Sequence, residues 1–122
     1  MASIDCSLDT NVLIKLWRGD ALLREATANR ACGIETVACL EFLQGVNNRQ
    51  REKADEFIAH FEFIPFTAPV SQLAVDLVRK FAHFKGLRMA DALIASSALH
   101  LDVGLVTLNI KHFDFIDGIK LI

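Results

Sequence analysis

Three carboxylates set in otherwise apolar segments are the residues best suited to chemistry. Asp9 lies in SLDTNVLIKLW, Glu41 in TVACLEFLQGV and Asp91 in LRMADALIASSAL. Converging acids with few nitrogen or sulfur donors nearby favour Mg²⁺ or Mn²⁺ over Zn²⁺, because these ions prefer oxygen ligands and retain water. Such ions can generate hydroxide and stabilise the oxygens of an in-line phosphoryl displacement. The three acids are therefore candidates for phosphoester chemistry.

Each acid also has a structural explanation. Asp9 is a preferred cap for a helix that begins at Thr10. Glu41 shares a polar stripe with Gln44, as in a helix that faces solvent. Asp91 is harder to explain in this way, because its segment is apolar on nearly every side and a buried carboxylate is costly without a partner. Asp9 and Asp91 both fall in the first turn of a predicted helix, whose positive end keeps a carboxylate ionised.

Short apolar strands that alternate with helices are predicted to position these acids. The predicted strands cover residues 4–8, 33–35, 62–66, 104–108 and 119–122. This alternation predicts an α/β fold with a five-stranded parallel sheet flanked by helices on both faces. Ligands of open sheets bind beyond the carboxyl ends of the strands, near the point where strand order reverses. Asp9 follows the first strand and Thr107 the fourth, so we expect the site at this edge.

Six helices are predicted between the strands. They cover residues 10–17, 21–30, 37–46, 50–61, 68–85 and 90–101. The clearest helix begins after Thr67, has Pro69 in its first turn and ends at Gly86. Its apolar stripe, from Val70 to Phe84, is expected to pack in the core.

Length and composition indicate one globular domain, residues 1–122. Hydrophobic residues make up 52% of the chain and charged residues 23%, with a mean hydropathy of +0.33. This apolar excess indicates an additional buried surface, such as a dimer or partner interface. We see no signal peptide, and polar residues interrupt the apolar stretch 92–110, so we expect a soluble protein that is not exported and does not span a membrane.

The cysteines, histidines and basic residues point to no further site. Three cysteines without a C-x-x-C pair indicate neither a disulfide framework nor a zinc site, and they fit a reducing cytoplasm. Cys39 is interpreted as a buried structural thiol, and the four histidines are spread without ligand spacing. The net charge of −2 argues against holding nucleic acid by charge alone. The basic clusters are typical of solvated helix faces: Arg49, Arg51 and Lys53, then Arg79, Lys80, Lys85 and Arg88.

Four segments together resemble the PIN-domain ribonucleases, specifically the VapC-like toxins of bacterial toxin–antitoxin pairs. In chain order they are DTNVLI, CLEFLQGV, MADALIASSAL and LVTLNIKHFDFIDGIKL. The resemblance covers essentially the whole chain. It implies a five-stranded parallel sheet, RNA cleavage that depends on Mg²⁺ or Mn²⁺, homodimerisation, and inhibition by a small antitoxin protein.

By position, the resemblance assigns Asp9, Glu41 and Asp91 to the three central acids, as catalytic residues and metal ligands. Asp9 and Asp91 are expected to hold Mg²⁺, while Glu41 orients or deprotonates the attacking water and assists metal binding. The positions expected to support this shell are Thr10, Asn11, Thr107 and Asn109. With Mg²⁺ bound, an acidic cleft becomes a phosphate site, and the basic clusters can guide the rest of the strand.

The fourth acidic position of the family departs from the pattern. Where many members have a further acid, this sequence offers Thr107, Asn109 and His112, and Asp114 is shifted by two residues. The sequence leaves the roles of Asn109, His112 and Asp114 open. A second tightly held metal is therefore not expected.

Two other classes of function remain open at this stage. The same acids would serve a metal-dependent DNA nuclease or phosphatase, which preferential cleavage of single-stranded RNA would exclude. Alternatively, the acids are polar surface on a non-catalytic interaction domain, in which case Mg²⁺ would have no effect on thermal stability.

Overall fold

Four short parallel strands form the sheet in a computed structural model that describes residues 4–122. They are β1 (Cys6–Leu8), β2 (Cys32–Glu35), β3 (Glu62–Ile64) and β4 (Gly104–Val106). Their order across the sheet is β3-β2-β1-β4. Strand order therefore reverses at β1, the strand that leads into Asp9. The first three residues of the predicted domain lie outside the described residues.

In the described part of the chain, six α-helices cover the sheet, close to the predicted ranges. They are α1 (Thr10–Trp17), α2 (Ala21–Thr27), α3 (Thr36–Gly45), α4 (Arg51–Ile58), α5 (Ala68–Lys85) and α6 (Met89–Leu101). The best-predicted boundary is the end of α5, where Gly86 adopts the left-handed conformation with a φ of 67°. Within residues 4–122, no helix combines the length and hydropathy needed to cross a bilayer.

Two apolar clusters form the core. One joins α5 and α6 to β4 and the C-terminal segment, with Ile94, Leu105 and Phe113 at its centre. The other joins α1, α3 and α4 to β1 and β2, through side chains that include Leu8 and Phe42. Because side chains alternate across a strand, Leu105 and its neighbour Val106 contribute to different clusters. The sheet is thus covered on both faces, as predicted.

The predicted fifth strand is the main difference from the expected sheet. Residues 119–122 run beside β4, but they form only an isolated parallel bridge between Leu105 and Leu121. The backbone N–H of Leu105 donates to Lys120 at 2.7 Å, and that of Ile122 donates to Leu105 at 2.9 Å. An apolar run predicts an extended segment, but the number of backbone hydrogen bonds that it forms depends on how it lies along the neighbouring strand. The α/β class is confirmed with four strands.

The predicted core stripe of α5 is wrong at its last position. Val70 and Leu77 are buried, whereas Phe84 is 87% exposed. Periodicity identifies the face of a helix that packs, but it does not show where the neighbouring surface ends. In contrast, α6 is buried as its composition predicts. Six of its small or apolar residues are buried, namely Ala92 and residues 94–98.

Candidate functional site

The three acids predicted from the sequence line one cavity. Asp9 follows β1, Glu41 lies in α3 and Asp91 lies in the first turn of α6. The cavity has a volume of about 210 Å³, and its polar lining also includes Thr10, Asn11, Arg88, Asn109 and His112. It lies at the carboxyl end of β1, where the strand order reverses. The fold therefore brings together carboxylates that are 32 and 50 positions apart in the chain.

Asp9 is held by two hydrogen bonds from different parts of the fold. Its Oδ1 accepts the backbone N–H of Thr10 at 2.8 Å, so it caps α1 as predicted. Its Oδ2 accepts the hydroxyl of Thr107 at 2.8 Å. That hydroxyl in turn accepts the backbone N–H of Asn109 at 3.0 Å. Capping and site formation are therefore compatible roles for the same side chain.

Burial makes Asp9 harder to ionise than a free carboxyl group. Asp9 is 5% exposed, and burial raises its pKa, with a further increase from the nearby charge of Glu41. The hydrogen bonds from Thr107 and Thr10 oppose this increase. A cation in the cavity would favour the ionised form, because an opposite charge offsets both burial and repulsion.

Glu41 is linked to Asp9 through Thr10, which forms a hydrogen bond with each of them. The hydroxyl of Thr10 donates to Oε1 of Glu41 at 2.8 Å. Because the Thr10 backbone N–H binds Asp9, this one residue orients two carboxylates. Glu41 is an exposed residue, so its carboxylate remains accessible to water.

Asp91 faces the basic side of the cavity. The Asp91 side chain is 19% exposed, and its Oδ2 lies 3.7 Å from Nδ1 of His112. Burial raises the pKa of Asp91, and the charge of Asp9 raises it further, while His112 and Arg88 lower it. The sequence predicts Arg88 on a solvated helix face and leaves the role of His112 open, and it contains no signal that His112 contacts Asp91.

The remaining predicted residues divide into those that line the cavity and those that do not. Asn11 and Asn109 contribute to its surface, whereas Thr107 does not line the cavity and contacts the site through its hydrogen bond to Asp9. Asp114 is exposed and does not line the cavity. Of the candidates for the fourth acidic position, His112 lines the cavity and Asp114 does not. Cys39, predicted to be buried, is only half-buried on α3.

Glu35 is an acid near the site that the sequence interpretation treated only as part of a strand. It is fully buried, and its Oε1 accepts the backbone N–H of Ala38 at 2.6 Å as the cap of α3. Its Oε2 has no hydrogen-bond partner among the described residues. Burial raises its pKa, and the charges of Glu41 and Asp9 raise it further. The available signal was its position at a strand-to-helix boundary, which is also the position of Asp9.

The donor set fits a cation that keeps part of its water shell. Among residues 4–122, no three Asp, Glu, His or Cys side chains are arranged to enclose a metal ion. Mg²⁺ does not require such a cage, because it is usually bound by one or two carboxylates together with water and substrate phosphates. The carboxylates, hydroxyls and amides that line or support this cavity are oxygen donors of the type Mg²⁺ and Mn²⁺ prefer.

The fold and the cavity define an α/β protein with an acidic, cation-compatible site at the switch point of a parallel sheet. The family model for the PIN domain matches residues 7–118, and the chain belongs to this family. The PIN-domain part of the resemblance seen in the sequence is thereby confirmed.

Individual relatives agree with this assignment. Ribonuclease VapC10 of Mycobacterium tuberculosis is 28% identical over 118 residues, covering 93% of this chain and 89% of the relative. Among solved structures, VapBC2 from Rickettsia felis bound to a promoter DNA fragment is 27% identical, with a TM-score of 0.78 and 96% of each chain covered. A toxin–antitoxin complex from Klebsiella pneumoniae has the same fold, with a TM-score of 0.83, 23% identity and coverage of 97% of this chain and 96% of that one. The similarity to VapC-type proteins is thus confirmed across nearly the whole chain.

Proposed function

We propose that this chain is an endoribonuclease, the toxin of a type II toxin–antitoxin pair, which cleaves RNA phosphodiester bonds with Mg²⁺ or Mn²⁺. One observation carries the proposal: Asp9, Glu41 and Asp91 come from three separate elements and line a single cavity at the carboxyl end of β1. The ribonuclease names of the curated relatives support RNA as the substrate class.

Each acid has a distinct role in this proposal. Asp9 and Asp91 would hold the cation, and Glu41 would assist them. When bound, Mg²⁺ supplies a Lewis acid for the phosphoryl oxygens and lowers the pKa of water. Glu41 orients the attacking water and accepts its proton, a role that suits an accessible carboxylate. The Thr10 hydroxyl positions Glu41, and the Thr107 hydroxyl positions Asp9.

The basic side of the cavity is suited to the phosphates that flank the cut bond. Arg88 and His112 line the acidic cavity, and they also line a neighbouring cavity of about 240 Å³ together with Lys85. A guanidinium group binds phosphate in a fork geometry. In this arrangement Arg88 holds the RNA backbone beside the acids, which overcomes the unfavourable net charge of the chain.

A cognate antitoxin and a second copy of the chain are the proposed protein partners. A groove of about 580 Å³ between α3 and α4 is lined by apolar side chains that include Leu40, Leu43 and Ala54. Leu40 is 59% exposed. An amphipathic antitoxin helix would cover this surface, and a homodimer would cover another part of the exposed apolar area. The proposed place of action is the cytoplasm.

The direct test is cleavage by purified, antitoxin-free protein of total RNA, single-stranded DNA and a small phosphoester, each with Mg²⁺, Mn²⁺ or EDTA. We expect RNA cleavage with either metal and none in EDTA. Cleavage of DNA or the phosphoester in preference to RNA would favour the alternative enzyme class. An absence of cleavage and of any metal effect on stability would favour a non-catalytic interaction domain.

Matched variants separate the site from the rest of the surface. Asp91→Asn should abolish cleavage and relieve the growth defect that expression of the chain alone is expected to cause. Asp114→Asn is the control, because Asp114 is an exposed acid that does not line the cavity. Equal toxicity of a soluble Asp91→Asn variant would contradict catalysis at this site. Co-purification with the product of a small adjacent gene, and a dimer in light scattering, test the proposed partners.

A further inference from the structure

Two cysteines meet at the end of the sheet opposite the acidic cavity. Cys6 and Cys32 are the first residues of β1 and β2, and they are register partners in the parallel pair. Their sulfur atoms lie 3.5 Å apart. Adjacent strands are spaced about 4.8 Å apart, which is within the Cα separation that a disulfide bridges. The backbone therefore already holds the two thiols at a distance from which an S–S bond can form.

The two thiols differ in exposure and in acidity. Cys6 is fully buried, whereas Cys32 is partly exposed at the amino-terminal end of β2. The Cys6 thiol donates a hydrogen bond to the Cys32 sulfur. This bond is the largest cause of a lowered pKa at Cys32, and the positive charge of Arg30 also lowers it. The same hydrogen bond is the largest cause of a raised pKa at Cys6, and burial is the second.

Cys39 provides a contrast within the same chain. It lies on α3 and is half-buried. Burial raises its pKa, and the negative charges of Glu35 and Asp55 raise it further. Because the thiolate is the reactive form, Cys39 is expected to react slowly with oxidants.

We propose that Cys6 and Cys32 form an oxidation-sensitive dithiol, in which Cys32 reacts with a hydroperoxide and Cys6 completes an intramolecular disulfide. The Cys32 thiolate attacks the O–O bond of hydrogen peroxide, which forms Cys32 sulfenic acid and releases water after proton uptake. The sulfur of Cys6 then attacks the Cys32 sulfur, and the hydroxyl group leaves as a second water with the proton from Cys6. In total, two thiols lose two electrons and two protons, and one peroxide becomes two waters.

The bond would join two strands that each lead to an acid near the cavity. β1 runs from Cys6 to Leu8 and is followed directly by Asp9, and β2 runs from Cys32 to Glu35. The disulfide would close the segment that contains α1 and α2, which restricts the unfolded chain. We therefore expect oxidation to raise the melting temperature by about 8–16 °C, without altering the residues that line the cavity.

The test uses the reduced full-length protein, treated with hydrogen peroxide and then with an alkylating reagent. Mass spectrometry of the intact chain and its non-reduced peptides should show a loss of two hydrogens, a link between the peptides of Cys6 and Cys32, and an alkylated Cys39. A thiol reductant should reverse the change. Cys39→Ser is the matched control and should behave as the wild type.

Two further variants separate the proposed steps. Cys32→Ser should form no disulfide, and Cys6→Ser should stop at a Cys32 sulfenic acid that dimedone captures. If the buried serine prevents folding, Cys6→Ala provides the same test. The proposal is overturned if all three thiols can still be alkylated when wild-type protein is treated with peroxide in the folded state and then denatured. It is also overturned if the link forms between two chains or through Cys39.

Discussion

Replacing Asp9 by asparagine separates its capping role from its proposed metal-binding role. Asparagine caps a helix about as well as aspartate does, so the bond from the Thr10 N–H is retained. In the wild type, the Thr107 hydroxyl donates to Oδ2 of Asp9 at 2.8 Å. In the variant, the asparagine amide N–H can donate to that hydroxyl instead. The substitution therefore removes a charge and leaves the shape and hydrogen bonding of the side chain largely unchanged.

The expected stability change can be worked out from the surroundings of Asp9. Loss of the charge at the N-terminus of α1 costs roughly 0.3–1 kcal/mol. Against this, burial and the charge of Glu41 raise the pKa of Asp9, so ionisation of Asp9 costs the metal-free fold stability that the neutral asparagine does not cost. The variant should consequently be no less stable than the wild type in EDTA.

The response to metal should differ much more. For the wild type, free Mg²⁺ at about 100 times its Kd adds roughly 2.7 kcal/mol to the free energy of unfolding by mass action. This corresponds to a rise of about 10 °C in Tm for a domain of this size. The variant should lose most of this rise, because one of the two proposed principal ligands has become a neutral amide.

Thermal melts in EDTA and in a series of Mg²⁺ or Mn²⁺ concentrations provide the assay. Asp20→Asn is the matched control, because Asp20 caps α2 by accepting the Leu23 N–H at 3.0 Å and does not line the cavity. The control should keep the full metal response. An undiminished response in Asp9→Asn would refute the assignment of Asp9 as a ligand.

Three further predictions concern two neighbours of the site and one residue of β2. Glu35→Gln should increase the free energy of unfolding of the metal-free protein, and this increase should grow as the pH rises. The fold raises the pKa of Glu35, so the wild type is most stable below the unfolded pKa of about 4.3 and loses stability as the pH rises through the folded pKa. Urea melts at pH 5 and 8 test it, and a constant difference would contradict it. Thr10→Val should slow RNA cleavage about tenfold by releasing Glu41, whereas an unchanged kcat would exclude positioning by Thr10. Gly33→Ala should cost about 1 kcal/mol, since an added Cβ would lie 2.7 Å from Cδ1 of Ile64, a side-chain end that must shift; an unchanged urea midpoint would contradict this cost.

Patterns with a local cause were predicted well from the sequence. Capping by Asp9 and the end of α5 at Gly86 depend on a few adjacent residues, and both are confirmed. The exposure of Phe84 and the reduction of the fifth strand to one bridge depend on how far a neighbouring surface extends. Hydrophobic period alone does not contain that information.

The same distinction between local and long-range causes applies to the site. Asp9, Glu41 and Asp91 could be selected because an acid in an apolar segment requires an explanation, and all three line the cavity. The contact between His112 and Asp91 could not be predicted, because it joins the first turn of α6 to a short turn after β4. The roles of these residues in catalysis stay a prediction.

The central position of β1 has a consequence for synthesis on the ribosome. One side of β1 pairs with β2, which follows closely in the chain, but the other side pairs with β4. Asp9 therefore acquires its Thr107 contact only after 98 further residues have been translated. A nascent or prematurely terminated chain that lacks β4 has an open sheet edge and an Asp9 without its Thr107 hydrogen bond. If the chain is a toxic nuclease, this order of assembly would delay activity until translation is nearly complete.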